Sequence, residues 1–358
     1  MYNDVDNRIW SETIRWLRFP LIVGVVFIHT ELTLPDTIVE ENYSIWWLVR
    51  NIMCLFSYVL PAPCVPLFFF ISGFLFFNNT DFNFDVFKRK FLSRCRTLVV
   101  PYVIWNLIGF LIFVIKHYCN FGSLIVDNNI TCAVFLNGFF MIHPSNTNPP
   151  FDFPLWFIRD LIVLVVLSPI IYLLVRKMRS LFVISLGIVW FFYGLEPYGF
   201  PGASHQSLFF FPLGAYCAIN CKLFQRLSIF AFVVLLSSYI ALSFIIIFCK
   251  EMPLGIYVHR LGAILGMIVY VEIGMMLSIV HHKTSFLTEA SFFVFAVHGL
   301  YILILTKILV IIVNPGSPIA FLSLYFLIPI IVIALALIGY VVLKRLSPSI
   351  LNLLVGGR

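Results

Sequence analysis

Charge is what this chain has least of. Asp, Glu, Lys and Arg together make 11% of its 358 residues, where an ordinary soluble domain carries roughly 25%. Hydrophobic residues make 61%, and the mean hydropathy of +1.03 is too high for a water-soluble fold. Metal-type cysteine pairing is missing too. The eight cysteines are scattered, mostly inside apolar runs, and Cys217 and Cys221, four apart on an expected helix, read as packed thiols rather than ligands. Cys119 and Cys132 lie close enough to meet in one loop, which leaves a disulfide open there. No small-residue cleavage site follows the first apolar run, and the thirteen residues before it are polar. That run is therefore expected to stay as a span and not to leave as a signal peptide. Between 118 and 153 there is no Lys or Arg at all.

What is there is a series of apolar runs of about 18 to 25 residues, each able to cross a hydrocarbon core roughly 30 Å thick. In lipid only helices and closed barrels satisfy every backbone group, and these runs are continuous rather than alternating. The expectation is an all-α, polytopic membrane helical bundle: one membrane-embedded domain over 1–358, its core about 12–343. The spans are read as 14–34, 58–77, 97–117, 155–175, 180–196, 206–220, 227–249, 260–280, 291–313 and 318–343, with edges good to about 2 to 4 residues. Stretch 45–57 is apolar on one face and suits the interface before the second span. With the N-terminus inside, 17 of the 23 basic residues fall on the inner side, and both termini are cytoplasmic by the positive-inside rule. Arg50, Lys116, Arg159, Lys250, Arg260 and Lys307 are the exceptions. The net charge of +7 is then a topology signal, and a nucleic-acid partner is not expected.

Ionisable groups inside spans are costly and point to function. Arg18 and His29 stand eleven residues apart in the first span, about three helical turns and roughly 16 Å. An ideal helix puts them on one face, which therefore cannot all face lipid. Arg159 and Asp160 open the fourth span near the depth of His29, Glu272 sits near the middle of the eighth, and His298 and Lys307 occupy the inner and outer halves of the ninth. Together they suggest an enclosed polar cavity. For Arg159, Asp160 and Glu272 the competing reading is structural ion pairing between helices, and for His29 it is a hydrogen-bonded packing histidine. Histidine near neutral pH can take a proton from a hydroxyl, and a carboxylate at its other nitrogen, Asp160 by depth, would fix its tautomer. Arg18, Arg94 and Arg96 suit phosphate groups, although plain inner-side topology accounts for Arg94 and Arg96 as well.

Five stretches carry a resemblance. The Arg18-x10-His29 stripe, "VPLFFFISGFLFF" with Ser72-Gly73 at its centre, "FKRKFLSRCRTLVVPYVIW", "PLWFIRDL" and "LTEASFFVFAVH" follow one another as in the acyltransferase family 3 integral membrane proteins, over about 12 to 343. In the last stretch Phe292 and Phe295 stand where the family pattern has tyrosine hydroxyls, and Ile158 replaces a leucine. The resemblance implies transfer of an acyl group, usually acetyl from acetyl-CoA, onto cell-envelope glycans. It implies His29 as the catalytic histidine, Arg18 as its companion, and Arg94 and Arg96 at the acyl-CoA entrance. No appended soluble domain is expected after the tenth span.

The expected mechanism has acyl-CoA docking from the cytoplasm and His29 deprotonating an acceptor hydroxyl that then attacks the thioester. A transient acyl-enzyme on Ser72 is a second route, although Ser72-Gly73 equally serves close approach of two helices. His298 either donates to the developing oxyanion or braces its helix. The acceptor, an envelope polysaccharide, glycolipid or lipid-linked sugar, is expected at "NGFFMIHPSNTNPPFDFPLWF", with His143, Trp156 and Arg159 as binding residues; an interfacial aromatic belt explains the same composition. No metal is expected, and the location is the cytoplasmic membrane of a bacterium. A transporter or flippase of envelope glycans, making no bond, is the reading from another class.

Overall fold

The computed structural model describes residues 2–30, 32, 44–78, 82–118, 132–140, 150–193, 203–220, 226–280 and 286–357. His143, Cys119, Cys221, Lys222, Lys283 and Arg358 lie outside the described residues. Among those described, the regular structure is helical: α1 (Tyr2–Ile28), α2 (Ile45–Cys54), α3 (Cys64–Phe77), α4 (Phe84–Arg94), α5 (Val100–Tyr118), α6 (Cys132–Phe140), α7 (Trp156–Met178), α8 (Ser180–Tyr193), α9 (His205–Asn220), α10 (Ile229–Cys249), α11 (Gly255–Val280), α12 (Phe286–Val313), α13 (Pro318–Leu346) and α14 (Pro348–Val355).

Among the described residues, seven stretches are long and apolar enough to cross a membrane: Ile45–Phe77, Phe84–Tyr118, Phe153–Met178, Ile229–Cys249, Gly255–Ser278, Phe286–Val313 and Pro318–Leu346. The other three expected spans fall on α1, which carries Glu12, Arg15 and Arg18, on the 14-residue α8 and on the 16-residue α9. Large apolar side chains stand exposed along these helices, among them Ile188, Phe192, Val233, Phe244, Ile330 and Ile338. A surface so apolar needs a partner phase, and the protein is a multi-pass membrane protein.

Local chemistry sets the helix ends. Ser44, Asn83 and Ser228 each accept a backbone N–H three residues on, from Trp47, Val86 and Ala231, as N-caps do. The stretch expected to lie in the interface forms α2 and runs on through a π-helical turn, Leu55–Val59. A second π turn, Cys95–Val99, welds α4 to α5. Helix α1 starts twelve residues before its expected edge, and its buried stripe runs from Trp10 through Thr13, Ile14, Leu17, Leu21 and Val25, the spacing of one helix face.

The chain forms two compact units. The first, Met1–Phe68 with Leu223–Gly339, is built on α11, which packs against both α1 and α10, while α12 packs against α1. A buried hydroxyl contact, Thr13 to Ser278 at 3.3 Å, ties α1 to α11. The second, Phe69–Lys222 with Tyr340–Arg358, is built on α7, which buries Ile158, Leu161, Leu164, Ser168, Ile171 and Val175 and packs against α8 and α9. There α14 docks on α5 through Trp105 Nε1, which donates to Leu354 O at 3.0 Å.

Helix packing in lipid depends on close fit more than on hydrophobic burial, and α3 crosses α9 at two glycines. A Cβ on Gly73 would strike the carbonyl of Phe211, and one on Gly214 would strike the carbonyl of Phe70. Gly73 is therefore fixed by backbone contact.

Candidate active site

Within the first unit, two histidines meet. Helix α1 closes through tightened bonds, His29 N to Val26 O at 3.2 Å and Thr30 N to Phe27 O at 3.1 Å. His29 thus sits just past the last helical residue, Ile28, and not on a continuing helical face. Its half-buried ring lies 5.6 Å from that of His298 on α12, centroid to centroid, inclined at 30°. His298 is wholly buried. Its Nδ1 is 2.6 Å from Phe295 O; a carbonyl only accepts, so Nδ1 carries the hydrogen. In the neutral ring Nε2 then holds the lone pair. A neutral His298 cannot donate to an oxyanion from Nε2; it accepts there.

Beside this pair lies a hydroxyl couple that sequence reasoning did not single out. Ser57, in the first π turn, donates to Phe27 O at 2.8 Å, and its Oγ is 2.5 Å from the hydroxyl of the fully buried Tyr325 on α13. The one sequence signal was a tyrosine in an otherwise apolar span, whose hydroxyl needs a partner. Arg18 is exposed, one position off the buried stripe of α1. Glu272 is buried; its Oε1 accepts the Leu227 backbone N–H at 3.3 Å, beside Arg226 and one residue before the Ser228 cap of α10. An anion at a helix N-terminus is favourable there.

The second unit carries the remaining residues. Arg159 and Asp160 are both buried, with Arg159 Nη2 3.5 Å from Asp160 Oδ1, while Asp160 Oδ2 accepts the Ser204 N–H at 2.8 Å. Trp156 opens α7, its ring 6.1 Å from that of Phe69. Arg94 ends α4 half-buried, and Arg96 stands exposed in the second π turn. Ser72 is half-buried on α3 beside Gly73. Because the glycine makes the tight crossing, Ser72→Ala is expected to leave acyl transfer unchanged; a lost activity at normal expression would restore the carrier role. Among the described residues no group of three or more His, Cys, Asp and Glu could hold a metal ion.

Asp152, also in this unit, escaped the sequence reading. It precedes α7, is fully buried, and neither carboxyl oxygen has a hydrogen-bond partner. Leaving such a group unsatisfied costs about 1–3 kcal/mol. Its backbone N–H reaches Asn106 Oδ1 at 3.4 Å, and Asn106 Nδ2 donates to Gly138 O at 2.9 Å, so α5 and α6 hold the turn. Burial keeps the carboxyl well above the usual carboxylate range. The native state therefore retains a proton that the unfolded chain releases near pH 4, and stability falls as pH rises from there toward the native pKa. Asp152→Asn removes this titration. Thermal unfolding in detergent between pH 4 and pH 8 should show a shallower decline for the variant, and parallel curves would refute the assignment.

A family model for an acyltransferase domain, acyltransferase family 3, matches residues 12–342. A relative from Rhizobium meliloti (strain 1021), the succinoglycan biosynthesis protein ExoH, is 26% identical over 361 residues, covering 97% of this chain and 92% of that protein. No solved structure matches. With nearly its whole length under that domain, and with its helices built to cross a membrane, the chain belongs to acyltransferase family 3 and is a membrane enzyme that transfers acyl groups other than amino-acyl groups.

Proposed function

We propose that the enzyme moves an acetyl group from cytoplasmic acetyl-CoA to a hydroxyl of an envelope polysaccharide or glycolipid, with His29 as the base. The observation that carries this reading is the His29–His298 pair in the first unit. The name of the relative, a protein of succinoglycan biosynthesis, favours a polysaccharide over a lipid or protein acceptor. Membership of a transferase family removes the reading in which glycan moves and no bond is made.

In this mechanism His29 takes the proton of the acceptor hydroxyl, and the oxygen attacks the thioester carbonyl carbon. The carbon–sulfur bond then breaks, and the CoA sulfur leaves with the proton from His29. General-base help of this kind contributes about 10²–10⁴-fold. His298 acts through His29 in this reading: with Nδ1 committed to Phe295 O, its Nε2 lone pair is the atom that would take a hydrogen bond from the catalytic ring, whose centroid lies 5.6 Å away. Candidate cations for the CoA phosphates are Arg94 and Arg96 in the second unit and, separately, Arg18 in the first. On α7, Arg159 with its Asp160 partner and the ring of Trp156 offer contacts for the acceptor.

Membranes containing the protein, given acetyl-CoA labelled in the acetyl group, should transfer label to extracted polysaccharide. Label that stays in CoA and free acetate, at verified expression and with polysaccharide present, overturns the proposal.

A further inference from the structure

Asp152 differs from the other buried acids. Asp160 and Glu272 each have an oxygen engaged by a backbone N–H, from Ser204 and Leu227, whereas both Asp152 oxygens are buried without a partner. The backbone around it is tightly built: a Cβ on Gly109 would meet the backbone of Phe151 and Asp152, and Asn106 braces the same turn. The neighbouring ring of Phe151 packs against Phe110 at 4.9 Å and Phe113 at 5.4 Å between centroids. A carboxyl with idle acceptors beside a bank of aromatic faces is chemistry suited to a sugar, whose hydroxyls donate and whose C–H face is apolar.

We propose that Asp152 is a recognition residue for the acceptor, its carboxyl taking hydrogen bonds from neighbouring hydroxyls of a sugar ring while the phenylalanines beside it carry the ring's apolar face. This rests on the reading that the acceptor is a saccharide. It goes beyond that reading by assigning a residue, a contact and a chemical preference for a hydroxyl pair over a hydroxyl beside an acidic group. Burial keeps the unoccupied acid protonated; its proton passes to solvent as the sugar hydroxyls arrive, so that both oxygens of the carboxylate accept, which an Asn amide cannot do. Because Asp152 is fully buried, the proposal requires α6 to move aside on ligand entry, parting bonds that include Asn106 to Gly138 O and Tyr102 to Phe139 O.

The test uses the full chain in nanodiscs and, as probe, succinoglycan oligosaccharides stripped of acyl groups by mild base. Wild type, Asp152→Asn and Asp152→Ala are compared for probe binding without acetyl-CoA, for KM of probe and donor, and for thermal midpoint. Asp152→Asn should weaken probe binding and raise the probe KM about tenfold or more. The KM for acetyl-CoA should stay unchanged, and the midpoint at pH 8 should not fall. A probe affinity that Asp152→Asn leaves unaltered overturns the inference, as does a wild type that fails to bind the probe. Binding by wild type with no transfer condemns the catalytic reading alone, and leaves the Asp152 comparison to be decided by affinity.

Discussion

His29→Ala should lower acyl transfer by about 10²–10⁴-fold with protein level and thermal midpoint close to wild type. The ring is half-buried at the end of α1 rather than inside a packed stripe, so its removal costs little structure. The companion substitution is more telling. In His298→Asn the amide Nδ2 can still donate to Phe295 O, as Nδ1 does at 2.6 Å, but nothing replaces Nε2. If His298 positions His29 through that lone pair, the Asn variant folds normally and loses most activity, and the pH–rate profile of its residual activity shifts. In His298→Gln the amide can reach the Nε2 position and should recover part of the rate. Full activity in the Asn variant would reduce His298 to a brace for α12. Full activity in His29→Ala would end the base assignment.

Gly73→Val should lose the folded protein altogether. Overpacking a core costs about 1–3 kcal/mol when side chains can yield; here the obstacle is the carbonyl of Phe211, which belongs to the backbone of α9. The readout is the yield of monodisperse protein after detergent extraction. Gly339→Ala serves as the control, since the atom nearest its new Cβ is in the Phe293 ring at 3.6 Å, an ordinary contact, and it should extract like wild type. Equal yields from both variants would mean that the α3–α9 crossing is looser than described.

The sequence made the membrane class legible because continuous apolar runs have no other stable use at that length, and the helices α7, α10, α12 and α13 fall where those runs lie. It also brought His29 and His298 forward together, since each is an ionisable group in a costly place. What it did not reveal was set by geometry that no residue type announces. The polar start of α1 is helical, and Trp10 and Thr13, before the expected edge, already belong to its buried stripe. The π turns have no composition signature. Glu272, expected near mid-span, answers to the cap of α10, a contact between segments 45 residues apart. Asp152 stands among prolines and phenylalanines in the sequence, with nothing to mark it, and only its burial without a partner distinguishes it. The Ser57–Tyr325 contact joins residues 268 apart.

The π turn at Cys95–Val99 carries one residue more than an α-helix would use there. A one-codon deletion within it would let the backbone settle into regular helix, keeping the hydrogen-bond ladder intact. The side chains of Arg94 and everything before it would swing by about 100° around the axis relative to α5. A single-residue loss at this point would leave the chain comfortable while turning the cationic edge of α4 away from its present heading relative to α5.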